Sequence, residues 1–357
     1  MKLFDILENL YQKTSLTFKE ALVTFLVTSG VRQGGPESPC LFNLYIDFMM
    51  RIFMSKCASD HSVHFFKHRY RINARSVSRE YRLQMRQENR KLWGTSFLPW
   101  SGYADDLILF MLDIPSLQKA ATLLDEVFIS YGLSINVSKT ETMILNHTNL
   151  NSEYPKSIIN LRNEPLQNSM EFKYLGSLIS QNEPNTGEIE INHRIQMAHA
   201  KFASMSNLLQ NSAIYLKTRI KFLNSFVRSR LTYSCQNWNL TNSQFQRLDV
   251  TYRTLLRRMI RGGFKRIDYD DGDFRYKITN DKLHEICKTS DVSNFIRLQQ
   301  KRYAGHVIRM PIERNAKQLM FDDEYHRVGR ATPSLLEQVA KFANTTIDSF
   351  INFSLKR

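Results

Sequence analysis

Residues 98 to 112, LPWSGYADDLILFML, set two adjacent aspartates inside an otherwise apolar run, and no other stretch restricts the fold as much. The apolar residues on either side of Asp105 and Asp106 read as two short buried strands joined by a tight turn, which puts both acids at one end of a hairpin. Carboxylates buried in such a run need a compensating partner. The simplest partner for two of them is a cation, and hard oxygen donors suit Mg²⁺ or Mn²⁺ better than zinc. Taken alone, a solvated Asp-Asp turn is the alternative.

Three further stretches accompany the pair in order: TSGVRQGGPESPCLFNLYID (Thr28 to Asp47) upstream, then GLSINVSKTETM (Gly132 to Met143) and EFKYLGSLIS (Glu171 to Ser180) downstream. With YADD they resemble the reverse transcriptase of non-LTR retrotransposons, over roughly residues 1 to 265 with a weaker echo beyond. The resemblance implies an α+β fold: a partial right-hand polymerase palm, an antiparallel sheet with helices on one face, followed by an all-helical thumb and a C-terminal helical region. The implied reaction is two-metal nucleotidyl transfer that extends a DNA primer on an RNA template, with deoxynucleotides as substrates and Mg²⁺ or Mn²⁺ as cofactor. It makes Asp105 the stronger and Asp106 the weaker metal ligand, and Lys139 the proton donor to the departing pyrophosphate. It assigns Arg32, Gln33, Gly34, Ser38 and Tyr103 to template and incoming nucleotide, and Tyr174, Leu175 and Gly176 to the primer's end. Gly35 and Glu37 depart from the family's pattern, and an added acid beside a nucleotide site is a mild mismatch. The family works on chromosomal DNA, so a nuclear or cytoplasmic location is expected.

The chain's charge agrees with a nucleic-acid partner. Lys and Arg number 49 against 34 acids, a formal charge of +15 with a pI near 9.6, which points to a polyanion. No apolar run approaches the roughly 18 residues of a membrane span. The start, MKLFDILENL, carries acids in an apolar pattern and does not read as a signal peptide. Cys40, Cys57, Cys235 and Cys287 lack CxxC spacing, which argues for a reducing compartment and against a zinc knuckle or a disulfide framework.

Residues 2 to 13 read as a helix, and Phe18 to Thr28 as a strand or hairpin leading into Gly30. Gly30, Gly34, Gly35 and Pro36 form a loop whose backbone can approach a ligand closely, and Pro39 starts a helix. Its expected apolar face is Leu41, Phe42, Tyr45, Phe48, Met49, Ile52 and Phe53. Residues 67 to 91 hold nine Lys or Arg against two Glu, +7 in one stretch. With Tyr70 and Tyr81 among the cations, that composition suits gripping phosphates while stacking on unpaired bases, or else a solvated basic insertion. A helix from Pro115 to Tyr131, closed by Gly132, should cover the sheet that carries the aspartates. Leu133, Ile135 and Val137 alternate like a half-buried strand, Thr142 to Leu145 reads as the next strand, and 146 to 170 as a connecting loop. FKYLGSLIS reads as strand, turn and strand.

Helices follow from Ile191, from about Leu216 to Leu231, and from Phe245 to Met259. Arg253, Arg257 and Arg261 fall on one face with Lys265 just beyond, a basic edge suited to a duplex backbone; a merely solvated basic face is the alternative. DYDDGD (Asp268 to Asp273) fails as a calcium loop, because Thr279 stands where a bidentate Glu is needed. His306 has no second ligand at metal spacing and is expected to pack or cap.

The division expected is 1–185 partial palm with a basic insertion at about 54–97, 186–266 thumb, and 267–357 C-terminal helical and basic region. A two-metal site needs a carboxylate from another strand, which the family supplies as an Asp followed by a Phe-Asp pair upstream of the glycine-rich loop. No such stretch precedes Gly30, and Asp5 lies in a helical pattern. The expectation is therefore an N-terminally truncated polymerase domain with an incomplete metal site, inactive or nearly so alone; the alternative is a non-catalytic nucleic-acid-binding remnant or domesticated protein.

Overall fold

The computed structural model describes residues 15–18, 23–26, 30–31, 34–71, 93–145, 155–181, 187–260, 266–268, 274–276, 278–321 and 334–355. Its strands are β1 (Ser15–Phe18), β2 (Val23–Leu26), β3 (Phe66–Arg71), β4 (Trp93–Leu98), β5 (Trp100–Tyr103), β6 (Asp106–Leu109), β7 (Glu141–Thr142), β8 (Asn160–Leu161), β9 (Glu164–Pro165), β10 (Gln167–Asn168), β11 (Glu171–Tyr174), β12 (Ser177–Ser180), β13 (Arg266–Asp268) and β14 (Phe274–Tyr276). The helices used below are α1 (Ser38–Ser59), α2 (Ile114–Ser130), α3 (Glu188–Ser204), α4 (Leu216–Phe222), α5 (Asn242–Ile260), α6 (Asn280–Cys287), α7 (Val292–Arg309), α8 (Asn315–Met320), α9 (Leu335–Phe342) and α10 (Ile347–Leu355).

The mixed α and β character expected from the sequence is present, but the described strands form separate two-stranded ladders in place of one antiparallel sheet. All of these ladders are antiparallel except β7 with β10. The strands are short, and Pro99 between β4 and β5 lacks the N–H a continuing ladder would use. The chain divides into two compact units, Met1–His64 with Pro99–Asn136, and Phe65–Leu98 with Val137–Arg357.

In the first unit α1 packs on α2. Ile46, Met49, Met50, Phe53 and Cys57 are the buried side of α1, spaced for one helical face. That face is turned from the expected one: Tyr45 and Phe48 are 40% and 48% exposed. Asn43, Asp47, Arg51 and Ser55 mark one polar, exposed stripe, but the apolar arc that remains is wide, so spacing alone could not say which part of it would be covered. Pro39 does stand in its first turn. On α2, whose apolar spacing expects Leu117, Ala120, Ala121, Leu124, Val127, Phe128 and Tyr131 on one face, the five from Ala120 to Phe128 are buried while Leu117 is partly covered and Tyr131 exposed, each large buried side chain contributing roughly 1.5–3 kcal/mol by leaving water.

Leu133, Ile135 and Val137 alternate in burial as a half-buried strand would, yet they pair with nothing as a strand, and Val137–Lys139 closes into a 3₁₀ turn. The second unit carries more β structure than the expected loop over 146–170, since β8, β9 and β10 lie there. The β8–β9 turn uses Arg162 and Asn163 with φ of 51° and 65°, the paired left-handed conformation of a tight hairpin turn.

Further on, one hydrophobic core runs from Ile191, Ala198 and Phe202 of α3 through Leu248, Tyr252 and Leu255 of α5 to Leu283 of α6 and Ile296 of α7. Packing therefore continues across residue 266, where a boundary was expected. The segment Leu216 to Leu231 is helical, with a π-helical stretch Leu223–Arg228 inside it. A smaller cluster joins Ala304 and Ile308 of α7 to Leu336, Val339 and Ala340 of α9 and Phe350 and Ile351 of α10.

Candidate active site

The YADD stretch forms the tip of the β5–β6 hairpin, in register Trp100↔Leu109, Ser101↔Ile108, Gly102↔Leu107 and Tyr103↔Asp106. Only Ala104 and Asp105 lie in the turn, and Asp106 opens β6. Ala104 is held at φ 53°, a left-handed conformation that a residue with a Cβ rarely adopts. Opposite Leu107, Gly102 leaves room for its neighbours: a Cβ there would lie 2.6 Å from Leu107 Cδ2 and 3.1 Å from the Trp100 ring, so the Leu107 side chain would have to shift.

Neither strand flanking the aspartates is buried: β5 is exposed except at Trp100, and β6 is half-buried beyond Asp106. Ser101 to Asp106 are all exposed, Tyr103 at 68%. Burial therefore does not force a counter-ion on the pair; what the structure offers is two adjacent carboxylates held toward water on a tight turn. They suit a hard cation that keeps waters or substrate oxygens in its shell. Among the described residues, no group of three His, Cys, Asp or Glu side chains stands ready to hold an ion.

Polar contacts hold the hairpin's exit. The Asp113 carboxylate accepts from Ser116 N at 2.8 Å, capping α2, and lies 3.2 Å from His64 Nδ1. Ser116 Oγ accepts from His64 N at 2.9 Å and donates to Ser62 O at 3.2 Å. Lys119 Nζ reaches Asp60 at 2.6 Å. The Ser116 backbone bond holds Asp113 below the ordinary carboxylate range. The Lys119 and Ser62 contacts hold Asp60 at about 2.

Gly34 at φ 87° and Ser38, buried at the start of α1, belong to this same unit. Arg32 and Gln33 lie outside the described residues. Lys139 belongs to the second unit, exposed at the end of its 3₁₀ turn.

Tyr174, Leu175 and Gly176 come together at the β11–β12 tip, where Leu175 and Gly176 form the turn at φ 46° and 83°. This tip is tied down. Tyr233 Oη donates to Leu175 O at 2.8 Å, and Arg194 Nη2 donates to Gly176 O. Glu190, buried, accepts from Leu178 N at 2.8 Å and from Arg194 Nε at 2.7 Å. The Arg194 guanidinium lies 4.6 Å from the Tyr233 ring centre. Sequence reading missed these residues, although Glu190 and Arg194 stand one turn apart beside the apolar stripe of α3.

Arg253 and Arg257 do not form a basic edge. Arg253 pairs with Asp291 at 2.7 Å, and Arg257, 4% exposed, donates to Asn280 Oδ1 at 2.7 Å and to Ile278 O at 3.3 Å. One turn apart on α5, they tie that helix to the segments that begin α6 and α7. Arg261 and Lys265 lie outside the described residues, as do residues 72–91 of the basic stretch and most of DYDDGD. His306 is exposed in the last turn of α7, not packed.

In the first unit an acid pair thus stands on an exposed hairpin tip, and a glycine-rich loop opens a helix. Residues 2–179 match the reverse transcriptase (RNA-dependent DNA polymerase) family. An uncharacterised transposon-derived protein of Caenorhabditis elegans is 26% identical over 210 residues, 58% of this chain and 70% of that protein. Through residues 2–179 the chain belongs to the reverse transcriptase family.

Proposed function

We propose that the chain carries part of the polymerase centre of a non-LTR retroelement, an RNA-directed DNA polymerase that extends a DNA primer with deoxynucleotides. The observation that carries this reading is the placing of Asp105 and Asp106 together on the exposed β5–β6 tip, within the family match. The unit holding them serves as the palm segment and α3 to α5 as the thumb. Asp105 and Asp106 hold Mg²⁺ or Mn²⁺, which when bound supplies charge against the triphosphate. Tyr103, Gly34 and Ser38, with Arg32 and Gln33, position template and nucleotide. Lys139 gives a proton to the leaving group, and Tyr174, Leu175 and Gly176 hold the primer end. Phosphate contact through Arg261 and Lys265 adds affinity without sequence choice.

Transfer of this kind uses a further carboxylate from another strand. Before Gly30 the sequence has no Asp followed by a Phe-Asp pair, so primer extension by these 357 residues alone is expected at background. An assay with Mg²⁺, an RNA template and a DNA primer tests this. Robust synthesis that Asp105→Asn abolishes overturns the expected inactivity and supports the assignment of the centre; robust synthesis that survives Asp105→Asn overturns both.

The formal charge of +15 also supports a second reading, a nucleic-acid-binding protein that makes no DNA. Tight binding whose affinity falls steeply with salt, without synthesis, selects it.

A further inference from the structure

At the β11–β12 tip, Leu175 holds φ 46° and Gly176 83°. A two-residue hairpin turn asks for positive φ at both positions. Glycine meets that freely, but a leucine does so at a cost and persists there only where its surroundings impose it, as at clamps that grip a ligand. Here the surroundings that impose it are polar. A cleft of about 720 Å³, bordered by Tyr174, Leu175 and Tyr233, opens beside the tip, so close packing does not set the turn on that side. Both turn carbonyls are held instead: Leu175 O accepts from Tyr233 Oη at 2.8 Å, and Gly176 O accepts from Arg194 Nη2. Arg194 is in turn aimed by Glu190, which accepts from its Nε at 2.7 Å and, through the other carboxylate oxygen, from Leu178 N at 2.8 Å. A Cβ on Gly176 would come within 3.2 Å of the Tyr233 ring, so the glycine also lets that ring sit against the turn. The Leu175–Gly176 peptide is trans, and its N–H points opposite to the carbonyl that Tyr233 holds. The Tyr233 hydroxyl therefore fixes which way that donor faces.

We propose that Tyr233 and Arg194 are positioning residues for the primer's end: they act by holding the Leu175–Gly176 turn in one conformation, with Glu190 one step behind as the group that orients Arg194. This rests on the reading in which Tyr174, Leu175 and Gly176 hold the primer's end. Exposure separates the two contributions. Arg194, 5% exposed, supports the fold and the turn together, whereas Tyr233, 47% exposed, gives the turn a hydroxyl and the core little. Removing that hydroxyl thus isolates positioning from folding.

The test uses the full chain with an RNA template and a DNA primer whose terminal base is thiothymine, without deoxynucleotides, and maps the light-induced crosslinks by mass spectrometry. The parent chain is expected to crosslink within residues 174–176. Tyr233→Phe should lower that yield about threefold, toward the lower end of what one net hydrogen bond is worth because the bond is half-exposed. Affinity for the primer–template, set mainly by phosphate contacts, should stay within about twofold. Tyr252→Phe is the control, since it also removes one hydroxyl, bonded to Asn224 Oδ1 at 2.8 Å in the helical core. It should cost at least as much in denaturant unfolding and leave the crosslink unchanged. Arg194→Lys keeps a charge beside Glu190 but lacks the fork that serves Glu190 and Gly176 at once, and should lose at least as much yield as Tyr233→Phe. An unchanged yield with Tyr233→Phe, or equal losses from Tyr233→Phe and Tyr252→Phe, overturns the positioning role and leaves the primer-end reading standing. An unchanged yield with Arg194→Lys removes Arg194 from that role. A parent chain that crosslinks elsewhere or not at all overturns the primer-end reading and the positioning role with it.

Discussion

The β5–β6 and β11–β12 hairpins are built alike. Each has four-residue strands, a two-residue turn and a first turn residue with positive φ, Ala104 in one and Leu175 in the other. They differ in how their tips are used. At β11–β12 the turn carbonyls and a strand amide are taken by Tyr233, Arg194 and Glu190. At β5–β6 the tip side chains face water, and among the described residues none hydrogen-bonds the Asp105 or Asp106 carboxylate. One tip is fixed to the helices behind it, while the other keeps two charges available.

The largest effect expected from this contrast is on stability. Glu190 and Arg194 are both 5% exposed and satisfy each other. Removing one leaves the other charge buried without its partner, which typically costs about 3–5 kcal/mol. Glu190→Ala or Arg194→Ala should lower the urea midpoint accordingly, whereas Asp105→Asn on the exposed tip should stay within about 0.5 kcal/mol of the parent. Equal destabilisation by the two kinds of change would break the contrast.

These hairpins also show how much could be read from sequence. YADD and FKYLGSLIS each sit on a turn between two strands, as short apolar runs on both sides of a break lead one to expect. The exposure of the aspartates was not legible, since the apolar letters around them are the same whether a strand is covered on one face or two. Arg253 and Arg257 were misread for a related reason. Helical spacing says that they share a face, but not that Asp291 and Asn280, 38 and 23 residues away, wait on that side. The covered arc of α1 was similarly undecidable, because its apolar arc is wider than the surface that α2 covers.

A smaller effect separates the parts of the fixed tip. Tyr233→Phe removes one hydrogen bond to Leu175 O and keeps the ring beside Arg194. The expected loss is about 0.5–1.5 kcal/mol, read from denaturant unfolding. A loss as large as that of Arg194→Ala would mean that the hydroxyl, not the buried ion pair, fixes the turn.

The smallest effects concern pH, and the two units should respond with opposite sign. In the first unit Asp113 has a lowered folded pKa, chiefly from the Ser116 amide. Its contribution is present above the ordinary value of 3.8 and fades as pH falls through the folded value. Asp113→Asn should therefore destabilise at neutral pH, and the difference should shrink well below pH 3.8. In the second unit Asp249 is raised, chiefly by burial, although it accepts from Ser293 N at 2.8 Å. Its protonated form is favoured in the fold, so its contribution is full below 3.8 and is lost as pH rises through the raised value. Asp249→Asn retains an acceptor for Ser293 and should be nearly neutral at acid pH, with relative stability improving toward pH 7. Unfolding midpoints of the two variants measured from pH 3 to pH 7 should then diverge from the parent in opposite directions. Parallel curves would mean that the Ser293 bonds and Arg253 outweigh the burial of Asp249 and the nearby Asp291 charge.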